Sequence, residues 1–426
     1  MIDRAHRAVA LDVALYLVFA VFAGTTALSS EFYGARLWAA LAVFGYLFGL
    51  AHAILPALRS RCPRYAPVAA VAGLGMIVSL AMLLVRRAQG VPWSEQPEVW
   101  VIERSATMLL HHGTPYINLA ALGRPPIVDD YMPYGPTMAV FGLPSALFGL
   151  NPLTDARVTF AVFSTVIVVL ALRLLRWPRV PVRAAQLIVA GPLTGLAWST
   201  AGDDLPIAAL MLLAFALLAR CKPAWCGAVI GTAVSMKLTA APALLVLAIA
   251  VPAILGAGAL LRFLAGAAAA GLLTVPVFLV DPANFVEQVI RFPIGLGRAH
   301  SPAASPLPGN LLARLGPGGH IATLALLILA GLAMAVWLIR RPPRSAGDAA
   351  LRTAIGIATA IILAPATRYG YLAYPIILLG GAITLRAARS RAGGGDDRVG
   401  GEPEHDAGEQ APRGDLLEGH LAGHRE

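Results

Sequence analysis

Five short stretches carry side chains able to do chemistry in an otherwise apolar chain. PEVWVIERSATMLLHHGTPY (97–116) sets Glu98 and Glu103 beside Arg104, Trp100 and a histidine pair. DDYMPYGP (129–136) puts two carboxylates and two tyrosines directly before an apolar run. A GDD turn supplies Asp203 and Asp204, GTAVSMKLTAAPALL carries the lone Lys237, and LAPATRYGYLAYP carries Arg368 among Tyr369, Tyr371 and Tyr374. A carboxylate can take a proton from a hydroxyl, and cations can hold an anionic group.

Each stretch also has a plainer reading. Glu98 and Glu103 would pair with Arg104 on a solvated helix, Lys237 would snorkel to the interface, and the Arg368 tyrosines would form an aromatic belt. A lysine inside an apolar region is nevertheless a functional candidate by default.

The elements that must position these groups follow from composition. Of 426 residues 58% are hydrophobic and 13% charged, with a mean hydropathy of +0.72. A soluble domain carries nearer a quarter charged residues. Solid Ala/Leu/Val runs exclude the alternation of a β-barrel. The expected fold is all-α, a polytopic transmembrane helical bundle of about twelve spans. The spans are expected near 10–29, 36–57, 66–86, 157–175, 183–199, 204–220, 224–238, 240–257, 259–280, 321–340, 349–366 and 371–387. The first run reads as a span and not as a cleavable signal.

The net charge of +10 sits mainly in the short basic clusters MIDRAHR, RSRCPR, RLLRWPRVPVR, RCK, RRPPR and RAARSR between apolar runs, which speaks for loop anchors and against a nucleic-acid partner. With the N-terminus in the cytoplasm those clusters all fall inside. Cys62, Cys221 and Cys226 lie in or beside them, so neither a disulfide framework nor a zinc site is expected. Two long loops, 87–150 and 281–320, then face outward; outside residues 391–426, eleven of the fourteen acidic residues fall on or near that face, five of them in the first loop. Within the first, Val99, Ile102, Ala106, Leu109 and Leu110 recur at helical spacing, predicting an interfacial helix. The piece 137–150 is too short and too broken by Pro and Gly to cross, and reads as re-entrant. Residues 1–390 thus form the membrane domain. Residues 391–426, Gly-rich and charged, read as a disordered cytoplasmic tail.

In order and spacing these motifs resemble the GT-C class of polyprenol-phosphate-dependent glycosyltransferases. The loop runs acid, helix, G-x-P-Y, then Y-x-P-Y-x-P. A GDD turn, an intramembrane lysine followed by proline and a late R-Y-G-Y-L-x-Y-P come after it. The nearest branch is the actinobacterial α-mannosyltransferases of phosphatidylinositol-mannoside type, over roughly residues 66 to 387. The resemblance implies a catalytic carboxylate some eighteen residues before Tyr116, which is Glu98, with Glu103 the runner-up. Glu98 stands where that branch usually has aspartate, and Asp203–Asp204 where it tends to have Gln or Asn.

Transfer of a sugar from a lipid phosphate needs a base for the acceptor hydroxyl and cations for the departing phosphate. Lys237, Arg368, Arg291, Arg298 and His300 are the candidate cations. Trp100, Tyr131 and Tyr134 are the candidate sugar platforms. No cofactor is expected, and neither a DxD element nor a His/Cys cluster marks a metal. The doublets 129–130 and 203–204 could hold a divalent ion but read better as solvated acids.

The expected activity is transfer of a hexose, mannose foremost, from a polyprenyl-phosphate sugar to an envelope glycolipid or polysaccharide. The enzyme would sit in the plasma membrane among its lipids, with its active site outside. Two rivals stand. One is a transporter or lipid flippase, against which no paired repeat of broken helices is visible. The other is an inactive scaffold of the same fold, which the Glu-for-Asp change keeps open.

Overall fold

A computed structural model of the chain describes residues 2–293, 295–299 and 303–393. By contacts it divides into Met1–Ala388 and Arg389–Glu426. Of the second unit, the described part is the end of the helix Ala373–Gly393. Beyond Gly393 the expected tail lies outside the described residues.

The protein is an all-α polytopic membrane protein. Among the described residues nine helices are long and apolar enough to cross a membrane: His6–Ser29, Tyr33–Ile54, Ala66–Ala88, Ala156–Leu174, Leu238–Leu255, Ala257–Val280, Pro317–Arg340, Ala346–Leu363 and Tyr369–Ser390. They coincide with nine of the twelve expected spans.

The other three expected spans are met by shorter helices. The stretch expected at 183–199 breaks into Val182–Ile188 and Pro192–Thr200. Pro192 has no N–H to continue a helix and opens the second piece at its first turn. Asp204–Ala219 and Pro223–Met236 are apolar but shorter, 16 and 14 residues, or about 24 and 21 Å against a core of about 30 Å. Asp204–Ala219 buries nearly every residue from Leu205 to Leu218. It is apolar all round because protein surrounds it.

The first long connection holds the helix Pro97–His112. Pro97 sits at its first turn with Glu98, and it ends on Gly113 at φ +71, a left-handed cap that suits glycine. Val99, Ile102 and Ala106 are buried as the spacing anticipates, whereas Leu110 is exposed. The helix is therefore packed into protein along one face. The piece Pro136–Phe148 starts as a tight turn of 3₁₀ helix over Pro136–Gly142. Gly135 is forced by close approach, since a Cβ there would lie 1.8 Å from the Ser235 carbonyl. Its N–H donates to the Met236 carbonyl at 2.8 Å, which ties the first loop to the segment bearing Lys237.

Candidate active site

Glu98 is placed by backbone first. The Gln96 N–H donates to the Thr200 carbonyl at 2.8 Å, and Gln96 Nε2 to Thr200 Oγ1 at 3.1 Å. Pro97 then starts the helix and places Glu98 in its first turn. Glu98 Oε1 accepts from a terminal nitrogen of Arg368. Glu98 Oε2 is buried and receives no hydrogen bond from the described residues.

Arg368 is held in an extended link before the 3₁₀ turn Tyr369–Leu372. The second long connection straps this link. Ser305 N–H donates to the Thr367 carbonyl at 3.0 Å, and Tyr369 N–H donates to Ser305 Oγ at 2.9 Å. The Arg368 side chain is 40% exposed.

Lys237 ends the helix Pro223–Met236 in extended backbone. Its Nζ donates to Asp203 Oδ2 at 3.1 Å and Asp204 Oδ1 at 2.5 Å. Those aspartates follow Gly202, whose φ of +93 makes the turn into the next helix. The Tyr374 hydroxyl donates to Asp204 Oδ1 at 2.6 Å. The ammonium also lies 5.0 Å from the Tyr134 ring centroid and 5.1 Å from that of Tyr371, within cation–π range. Burial, with the charge of Asp203 added, pushes the Tyr134 hydroxyl well above its ordinary value, so it stays a neutral donor.

These groups share one cavity of ≈ 80 Å³, walled on its apolar side by Leu193 and Leu196. A single water needs roughly 10–15 Å³, so the space admits a polar group larger than one water. Glu98, Tyr134, Asp203, Asp204, Lys237 and Arg368 all line it. Six of the twelve site residues expected from sequence thus meet. Among the described residues no group of three or more His, Cys, Asp or Glu is gathered as for a metal ion.

The others lie in different surroundings. Glu103 binds Arg87, not Arg104: its carboxylate accepts from both Arg87 terminal nitrogens at 2.9 and 2.7 Å and from the Ala156 N–H at 3.0 Å. Trp100 carries the Arg104 guanidinium 5.4 Å from its ring. Tyr131 is buried and stacked on Phe292 at 4.2 Å. Its hydroxyl donates to Glu287 Oε1 at 3.2 Å and accepts the N–H groups of Arg298 and Ala299, so it joins the two long connections. Arg291 is exposed beside Glu287 at 3.6 Å, and the Arg298 side chain is exposed. His300 lies outside the described residues.

A second buried polar group had no reading in the sequence. Arg87 also meets Asp155 at 2.6 Å and Glu95 at 3.0 Å. Asp155 grips Arg157, which is 0% exposed and donates to the carbonyls of Ser94 at 2.9 Å and Ser199 at 3.1 Å. This knot joins the stretch before Glu98 to the stretch before Asp203. Its signal was present: Arg86–Arg87 stands at the end of a span that the charge pattern assigns outward, where a basic pair needs a carboxylate partner.

No curated protein and no solved structure matches the chain. The sequence profile of glycosyltransferase family 87 matches residues 131–365. That stretch includes Tyr134, Asp203, Asp204 and Lys237, while Glu98 precedes it and Arg368 follows it closely. With more than half of its length matched, the chain belongs to glycosyltransferase family 87.

Proposed function

We propose that this membrane glycosyltransferase takes a hexose, mannose foremost, from a polyprenyl-phosphate sugar. It passes the sugar to an envelope glycolipid or polysaccharide on the outer face of the plasma membrane, by direct displacement with Glu98 as base. The observation that carries this reading is the Glu98–Arg368 pair in the cavity. One carboxylate oxygen is engaged by the guanidinium and the other, buried, has no donor among the described residues.

In that reading the acceptor hydroxyl gives its proton to Glu98 Oε2 as its oxygen bonds to the anomeric carbon. The bond from that carbon to the phosphate oxygen breaks, and the phosphate leaves with the electron pair. The Arg368 side chain makes no further hydrogen bond among the described residues, so its remaining guanidinium N–H groups are free for the phosphate oxygens. A planar fork of donors suits a phosphate. A single displacement inverts the donor linkage.

The test is purified protein in proteoliposomes, supplied with lipid extract and either radiolabelled polyprenyl-phosphate hexose or the corresponding nucleotide sugar. Transfer from the lipid-linked donor only is the expected result. Transfer from the nucleotide sugar would overturn the donor assignment. Passage of labelled lipid across the bilayer without transfer would point to a flippase.

A further inference from the structure

We infer that the Asp203–Lys237–Asp204 cluster is a subsite for the uncharged hydroxyls of the donor sugar, and that the anionic phosphate is met by Arg368 across the cavity. The inference rests on the proposed donor class and divides its two halves between two sets of side chains.

The division follows from what each cation already touches. Lys237, whose side chain is 9% exposed, gives hydrogen bonds to two carboxylates and has two tyrosine rings within cation–π range. Two carboxylates on one ammonium leave the cluster formally negative. A phosphate drawn to Lys237 would come against both, and like charges in a poorly solvated site repel strongly. A sugar hydroxyl meets no such penalty. It can donate to a carboxylate oxygen and accept from the ammonium, and Asp203 Oδ1 receives no hydrogen bond from the described residues. Arg368 has the opposite character: a single carboxylate partner, uncommitted donors and far greater exposure.

The same charge sets a specificity. A neutral hexose suits a cluster of net negative charge. A uronic acid brings a carboxylate next to Asp203 and Asp204 and is disfavoured.

Two measurements test this. The first needs no substitution: wild-type protein is given polyprenyl-phosphate hexose or polyprenyl-phosphate hexuronate. Preference for the neutral donor by about tenfold or more in kcat/KM is expected, since a charged group's hydrogen bonds contribute about that much. Equal use overturns the subsite while leaving the transferase reading intact. Transfer from neither lipid removes the donor assignment itself.

The second uses sugar-free polyprenyl phosphate as a competitive inhibitor. The double variant Lys237→Met/Asp204→Asn removes the ammonium without leaving two uncompensated carboxylates. It should raise KM for the neutral donor by about tenfold while leaving the inhibition constant of polyprenyl phosphate within a factor of about two. Arg368→Gln should raise that inhibition constant. A double variant that weakens polyprenyl phosphate as much as Arg368→Gln does would return Lys237 to the phosphate.

Discussion

Glu98 and Arg368 stand 270 residues apart in the chain and meet as an ion pair in one cavity. Each keeps hydrogen-bonding capacity to spare: Glu98 through Oε2, Arg368 through its uncommitted N–H groups. The pair is thus placed to serve two partners at once, a proton donor on one side and an anion on the other.

Arg368→Gln should lower turnover by roughly 10²–10³-fold, the usual scale for losing one preorganised donor to developing negative charge. Arg368→Lys should recover part of that loss, because it restores the charge without the planar fork. Turnover at saturating donor checks both. Wild-type rates in Arg368→Gln would remove the arginine from the reaction.

Glu103→Gln should act on stability before chemistry. It leaves Arg87 and the Ala156 N–H in a largely buried knot with a poorer acceptor, and breaking such a pair costs on the order of 3–5 kcal/mol. A clear fall in thermal midpoint is expected, with turnover per folded molecule within a few-fold of wild type. An unchanged midpoint with lost turnover would make Glu103 the base.

Acid should weaken the fold through Asp130 and Asp155. The Arg124 hydrogen bond holds the Asp130 carboxyl below its ordinary value against the effect of burial. For Asp155, burial pushes upward but is outweighed by the hydrogen bond and charge of Arg157 and the charge of Arg87. Both groups bind protons less readily folded than unfolded. Their stabilisation is therefore present above the ordinary carboxylate pKa of about 4 and lost as pH falls through the lower folded values. Thermal midpoints should drop on acidification below about pH 4, and Asp130→Asn should flatten that limb. Parallel curves for variant and wild type would contradict it.

Sidedness can be read with a membrane-impermeant thiol reagent. The exposed Cys221 lies in a basic cluster expected in the cytoplasm, so in intact cells it should stay unlabelled until the membrane is permeabilised. Ala121→Cys, at an exposed position of the first long connection, should label at once. The reverse pattern would turn the site inward.

Hydropathy was enough to find the long spans, because twenty apolar residues in water have few other fates. It could not show that one apolar run is interrupted at Gly191–Pro192, or that the short helix Asp204–Ala219 is apolar all round because protein encloses it. The carboxylates and cations of the cavity were legible as types, each conspicuous in an apolar setting. Their pairing was not. Nothing local says that Lys237 reaches back 34 and 33 residues to Asp203 and Asp204, or that Glu103, one turn beyond Glu98, is claimed by Arg87. Such partners are set by helix packing, which one sequence does not display.

The most direct test of the central claim compares wild type with Glu98→Gln in transfer from radiolabelled polyprenyl-phosphate hexose to lipid extract, at equal amounts of folded protein. Glutamine keeps the shape and a polar contact for Arg368 but cannot accept the acceptor's proton. A fall of roughly 10²–10⁴-fold is expected, with donor binding retained and partial activity in Glu98→Asp. Undiminished transfer by Glu98→Gln would contradict the account and send the search for the base elsewhere in the cavity.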